Sequence, residues 1–309
     1  MADLTTLRVL GSSAGGGFPQ WNCNCANCRD VRAGHPALQA RTQSSIAWSR
    51  NQQDWVLFNA SPDILQQLKS QPGLQPARLL RDTGIGAVVL MDAQIDHVTG
   101  LLMMRERGSP IPLFATPQVL GDISSGFPLV SLLNHFCGIH HHPLAIDARS
   151  VCWPFMPGAH METLAISSKP PPYSPYREAP RPGDNIAVTL VNEQTGRKVF
   201  YAPGLAEVTP EIEAVMRQAD VVLVDGTFWT DDEMIVLGLG SKTGLSMGHL
   251  PQSGPGGMIE QLDRLPATTR KVLIHINNTN PILREDSPQR AELTRHGIEV
   301  SFDGMEISF

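Results

Sequence analysis

The chain is expected to fold as an α/β layered protein, because short apolar runs that read as buried strands alternate with stretches of helical periodicity. The strand-like runs are LRVL, SSIAWS, WVLF, AVVLM, IPLF, IAVTLVN, KVFYA, VVLVD and KVLI, and many of them stop at Gly, Asn, Asp or Pro. Between them lie helix-like stretches: PDILQQLKSQ, VTGLLMMRER after His97, TPEIEAVMRQA and GPGGMIEQLDRL. The first two open at Asp63 and Thr99, residues suited to cap a helix, and then place apolar residues three to four apart. No fixed-period repeat and no long linker interrupts the pattern, so residues 1–309 are read as one domain. The segment from Gly121 to Pro182 stands apart, rich in Pro and His (HFCGIHHHPL, KPPPYSPYREAPRPG) and poor in helical periodicity. It is expected to be inserted, lid-like loop.

Composition narrows the function classes. With 309 residues, 41% hydrophobic and 17% charged, the chain can bury a substantial core. A net charge of -6 argues against a broad phosphate-binding surface and hence against a nucleic-acid partner. The amino terminus has an acidic Asp3 and only a short apolar run, unlike a signal peptide. No apolar stretch approaches the roughly 18 residues that would span a bilayer, so the cytoplasm is the expected location.

Three of the five cysteines fall in WNCNCANC as Cys23, Cys25 and Cys28. That spacing is too tight for a disulfide framework, and a turn can fold three thiolates around one tetrahedral ion at Zn–S distances of about 2.3 Å. Soft thiolates favour zinc over hard cations. The fourth ligand must come from a distant segment or another subunit. A closed structural site is expected, pinning a long loop that could serve a homodimer interface. Cys137 and Cys152 read as ordinary buried cysteines.

The strand-like run GAVVLM ends in Asp92, Gln94, Asp96 and His97, so oxygen and nitrogen donors can converge at a strand's carboxyl end. The register Asp92-Ala93-Gln94-Ile95-Asp96-His97 resembles the His-x-His-x-Asp-His motif of the metallo-β-lactamase superfamily. LFNASPDI, VDGTF with Asp225, MGH with His249 and LIHINN with His275 resemble further segments of that family. The resemblance covers most of the chain. It implies a four-layer αβ/βα sandwich, here with an extra Cys-x-Cys-x-x-Cys zinc loop.

The departures from the family pattern are equally informative. Asp92 and Gln94 replace the two leading histidines, and FYAPGL puts Gly204 where the family carries its metal-bridging aspartate. No histidine precedes NIAVTLVN in the Pro-rich stretch, where the middle metal histidine would fall. The resemblance therefore implies a mononuclear site at Asp96, His97 and His275, assisted by Asp92, rather than a dinuclear hydrolase. The plainer reading of those three is a solvated acid and two hydrogen-bonded core histidines. His140, His141 and His142 read as loop surface.

GSSAGGGFPQWNCNCANC, the altered motif and HINNTNPIL are together similar to the branch of the superfamily that serves biosynthesis of pyrroloquinoline quinone (PQQ) from a Glu and a Tyr of a small peptide. A related phosphodiesterase with the same cysteine spacing takes its fourth zinc ligand from a His three residues after the last active-site His. That position is Asn278 here. The branch implies PQQ or its peptide-derived precursor as partner, along with other pathway proteins. Two activities are implied: metal-dependent oxygenation of the precursor's tyrosine moiety, or carriage of PQQ or its precursor without catalysis. Two imidazoles and a carboxylate suit Fe(II), and also tolerate zinc, manganese or copper. Asp225 is expected to orient His249, and the pair to move protons.

Overall fold

Two seven-stranded sheets form the body of the protein in a computed structural model that describes residues 5–146 and 150–309. Asp3 and three residues of the Pro/His-rich segment lie outside the described residues. The first sheet runs β14-β1-β2-β3-β4-β5-β6, from β1 (Thr6–Gly11), β2 (Ser45–Ser49), β3 (Trp55–Phe58), β4 (Ile85–Val89), β5 (Ile111–Ala115), β6 (Ile139–Pro143) and β14 (Glu306–Ser308). The second runs β13-β12-β11-β10-β9-β8-β7, from β7 (Val151–Cys152), β8 (Ala159–Ala165), β9 (Ile186–Asn192), β10 (Lys198–Ala202), β11 (Val221–Asp225), β12 (Arg270–Ile274) and β13 (Ile298–Val300). In each sheet one half is parallel: β3 to β6 in the first, β10 to β13 in the second.

Side-chain alternation along the strands makes the layers, since successive residues of a strand face opposite sides. In β11, Val221 and Leu223 join Trp48, Phe58 and Tyr201 in the core between the sheets. Val222 and Val224 face outward, onto a second core with Ile212, Met216, Met258 and Leu262. Those four belong to helices Pro210–Met216 and Met258–Asp263. The first sheet does the same with Leu57 and Val88 against Ile64, Val98, Leu101 and Val119. The result is helix, sheet, sheet, helix: the four-layer sandwich that the motif resemblance implies.

Several local expectations change. The segment 121–182 is largely loop among its described residues, but it also closes one edge of each sheet: β6 pairs with β5, and β7 and β8 extend the second sheet. His140, His141 and His142 therefore sit in an edge strand, with His142 stacked on Phe114 at 4.5 Å. Prolines hide this order from a periodicity reading, yet they are tolerated at sheet edges and strand ends. Cys152 is exposed rather than buried, since β7 is an edge strand, and Cys137 is half-buried. Asp63 makes no cap hydrogen bond. Its carboxylate instead accepts from the backbone N–H and side chain of Gln43 at 2.9 and 3.0 Å. VTGLLMMRER contains only the single turn Gly100–Met103 after the turn Ile95–Val98. Among the described residues, no helix is long and apolar enough to cross a membrane.

Candidate metal centre

The parallel halves deliver their carboxyl ends to one cleft of about 320 Å³, the usual ligand position in open α/β sheets. After β4 the chain turns through Asp92 and Gln94 into the helical turn that carries Asp96 and His97. Gly204 follows β10, Asp225 ends β11, and His275 follows β12. Asp225 pairs with Ile274, so β11 and β12 stop level with each other. His275 has φ of 61°, a left-handed conformation that costs a non-glycine residue about 1 to 3 kcal/mol and that clusters at functional sites. The loop after β1 also closes on the cleft. A Cβ on Gly15 would lie 3.1 Å from Asp96 Oδ2, close enough that the carboxylate would have to give by a few tenths of an ångström.

Asp96, His97 and His275 offer ligand atoms that all lie within 4.8 Å of one another. Asp96 Oδ2 is 3.5 Å from His275 Nε2 and 3.7 Å from His97 Nε2. The opposite ring nitrogens are tied back into the protein. His97 Nδ1 meets both oxygens of Asp92, at 2.7 and 2.9 Å. His275 Nδ1 donates to Thr227 Oγ1 at 2.9 Å, and that hydroxyl donates to Asp225 Oδ1 at 2.6 Å. His249 Nδ1 donates to Asp225 Oδ2 at 2.7 Å. Carboxylate and hydroxyl partners at Nδ1 leave the Nε2 lone pairs as the ligand atoms. Nε2 of His97 is buried and has no hydrogen-bond partner among the described residues, as suits an atom that could ligate a cation.

Asp92, expected to assist as a ligand, is thus placed behind His97 as its orienting carboxylate. Asp225, His249 and His275 also lie within 4.8 Å of one another, but Asp225 already accepts from the N–H groups of Leu205 and Thr227 as well as from Thr227 Oγ1 and His249. That carboxylate is saturated, which suits positioning rather than ligation. Gly204 faces open space, where an added Cβ would meet only His249 Cε1, at 3.9 Å. Of the three imidazoles that line the cleft, those of His97 and His275 lie within 4.8 Å of the Asp96 carboxylate as one set, which fits a single divalent ion with open positions, while His249 stands beside them.

Electrostatics follow the geometry. Burial opposes ionisation of Asp96, but the charges of His97 and His275 outweigh it and hold its carboxyl well below the usual range. Burial also opposes a charge on His97, yet Asp92 and Asp96 prevail and push it up to about 9. His249 is raised despite burial, chiefly by Asp225, and Asp225 is lowered despite burial, chiefly by His249.

Cys23, Cys25 and Cys28 bring their sulfurs within 4.8 Å of one another around the start of helix Ala26–Arg32. Burial, reinforced by the other two thiols, pushes Cys25 up to about 12, whereas at Cys23 burial is overcome by hydrogen bonds from Cys25, Cys28 and Asn278, which lower it. Asn278 lies over all three, its amide 3.1 Å from Cys23 Sγ, 3.7 Å from Cys25 Sγ and 3.3 Å from Cys28 Sγ. It stands three residues after His275. The segment His275–Asn280 thus serves both clusters, and Asn280 anchors it on the carbonyls of Gly226 and Thr227.

This fold with these two clusters defines a metallo-β-lactamase-type protein, and residues 54–276 match the Beta-lactamase superfamily domain. The chain is 61% identical over 306 residues to coenzyme PQQ synthesis protein B of Azoarcus sp. (strain BH72), covering 98% of this chain and 99% of that one. It is 59% identical to the protein of the same name from Cupriavidus taiwanensis, covering 99% and 100%. Among solved structures it resembles zinc-bound PqqB from Methylobacterium extorquens, with a TM-score of 0.89, 36% identity and coverage of 98% and 100%. A diphosphatase of the PhnP family, 16% identical with a TM-score of 0.68 and coverage of 99% and 97%, shares the fold. The chain belongs to the coenzyme PQQ synthesis protein B family.

Sequence reasoning missed Thr227, although it stands inside the VDGTF segment already singled out for Asp225. It also missed Asn185, Arg177 and Lys242, which line the same cleft. No motif marks these three.

Proposed function

We propose that the protein acts in PQQ biosynthesis as a mononuclear metal-dependent oxygenase that hydroxylates the tyrosine moiety of a peptide-derived precursor. The observation that carries this reading is the convergence of Asp96, His97 and His275, each imidazole tied back through Nδ1, beside an open Gly204. Asp96, His97 and His275 would hold the ion; a redox-active metal such as Fe(II) supplies activation of O₂ when bound there. Asp92 holds His97 in the tautomer that presents Nε2, and Thr227 does the same for His275. His249, oriented by Asp225, would take the phenolic proton at Nε2 and return it after the ring C–H has become C–OH with one oxygen atom of O₂; the other oxygen atom would leave as water, with two electrons and two protons from an external two-electron reductant of the ascorbate class. Hydrolysis by two bridged metals is disfavoured, because Gly204 supplies no bridging acid.

The competing reading, carriage of PQQ or its precursor without turnover, uses the same cleft but needs no proton relay. Oxygen uptake by Fe(II)-loaded protein with a tyrosine-containing precursor peptide separates them. The oxygenase reading expects uptake that falls about 100-fold or more in His249→Ala. Tight PQQ binding with no uptake would establish the carrier instead.

A further inference from the structure

The same cleft carries a second set of groups that neither the metal cluster nor the proton relay uses. Asn185 is 5% exposed, lines the cleft, and has an amide Nδ2 with no hydrogen-bond partner. Its backbone is pinned, since its carbonyl accepts from Ile166 N–H at 3.1 Å and the next residue begins β9. A buried donor left unmatched is costly, so a bound molecule is its natural partner.

Two cations line the same cleft. Arg177 donates one N–H to the carbonyl of Pro170 and forms no ion pair with any described carboxylate. Lys242 is exposed and forms none either. Elsewhere, arginines of this protein that reach acids do pair, as Arg78 does with Asp54 and Asp82, and Arg181 with Asp184. Guanidinium forks match carboxylates bidentately, an ammonium adds a point charge, and an amide N–H completes the acceptor's shell.

We infer that Asn185, Arg177 and Lys242 are substrate-positioning residues that bind carboxylate groups, so the substrate is an aromatic polyacid held by its carboxylates while a ring oxygen faces the metal cluster. The inference rests on the proposed oxygenase reading for the aromatic ring alone; anion recognition stands without it. A carboxylate anchor of this kind sets the substrate's orientation without competing for the ligand positions of Asp96, His97 and His275.

The test is equilibrium binding of PQQ and of its neutral trimethyl ester to zinc-loaded protein at low and high salt. Wild-type protein is expected to bind the acid about tenfold or more tightly than the ester, with a preference that shrinks as salt rises. Arg177→Gln and Lys242→Gln are each expected to weaken acid binding about tenfold while leaving the ester, zinc content and thermal midpoint unchanged. Asn185→Ala should weaken the acid alone; if it fails to fold, the two surface variants still decide. Equal affinity for acid and ester, unchanged acid binding in both cation variants, or no binding of PQQ by wild type overturns the inference. Acid selectivity without O₂ uptake on Fe(II) overturns the oxygenase reading and keeps this one; uptake with unaltered acid affinity in the variants does the reverse.

Discussion

Asp92 holds His97: its carboxylate oxygens lie 2.7 and 2.9 Å from His97 Nδ1, and both side chains are buried. The residue standing where the superfamily motif places its first histidine ligand has become the support of the last one. Removing such a support typically weakens metal binding by about 10- to 100-fold. Asp92→Asn is therefore expected to fold normally and to lose metal affinity on that scale, measured by competition with a chelator of known strength. Wild-type affinity in the variant would return Asp92 to the status of a bystander.

The same pair sets a pH dependence in the metal-free protein. His97 is held at about 9 against an ordinary 6.5, so the folded state binds its proton more tightly than the unfolded chain does. That contribution is fully present below pH 6.5 and is lost as pH rises through about 9, with an upper bound of about 3 kcal/mol. The thermal midpoint of metal-free protein should fall over this window, and Asp92→Asn should flatten the fall. A midpoint that is level or rising in metal-free wild type contradicts the expectation.

His275 combines a proposed ligand with a left-handed backbone. Asparagine, like histidine, is enriched in that conformation, so the backbone can keep it. For His275→Asn, and likewise for His97→Ala, the active-site metal should be lost while folding stays near normal. If the metal stays and the midpoint drops, these are core histidines and not ligands.

Cys23, Cys25 and Cys28 are expected to hold one zinc that is independent of the Asp96–His97–His275 ion, since thiolates and the oxygen/nitrogen set differ in softness. Cys25→Ser should lower the zinc content by one equivalent, and mild chelation should strip the two ions at different rates. Sedimentation of the same variant tests whether the loop supports a homodimer. Unchanged zinc content in Cys25→Ser defeats the structural-site assignment.

Much of this was legible in the linear order of residues. Alternating apolar runs specify strands because one residue in two must leave water. The tight spacing of Cys23, Cys25 and Cys28, and the placing of Asp96, His97, Asp225 and His275 at or just beyond strand-like runs, name chemistry that only a few arrangements can use. The strands embedded in the Pro/His-rich segment went unread because β6, β7 and β8 are short pieces between Pro-rich loops, and β6 and β8 find partners, β5 and β9, outside that segment. Which nitrogen of each histidine faces the cleft was decided by Asp92, Thr227 and Asp225, through contacts made only once the sheets pack. The arrival of Asn185, Arg177 and Lys242 beside the metal cluster depended on the same packing. Local sequence encodes which face of a strand is apolar, whereas the meeting of distant strand ends is set by how two whole sheets close on a shared core, and no short window of residues contains that information.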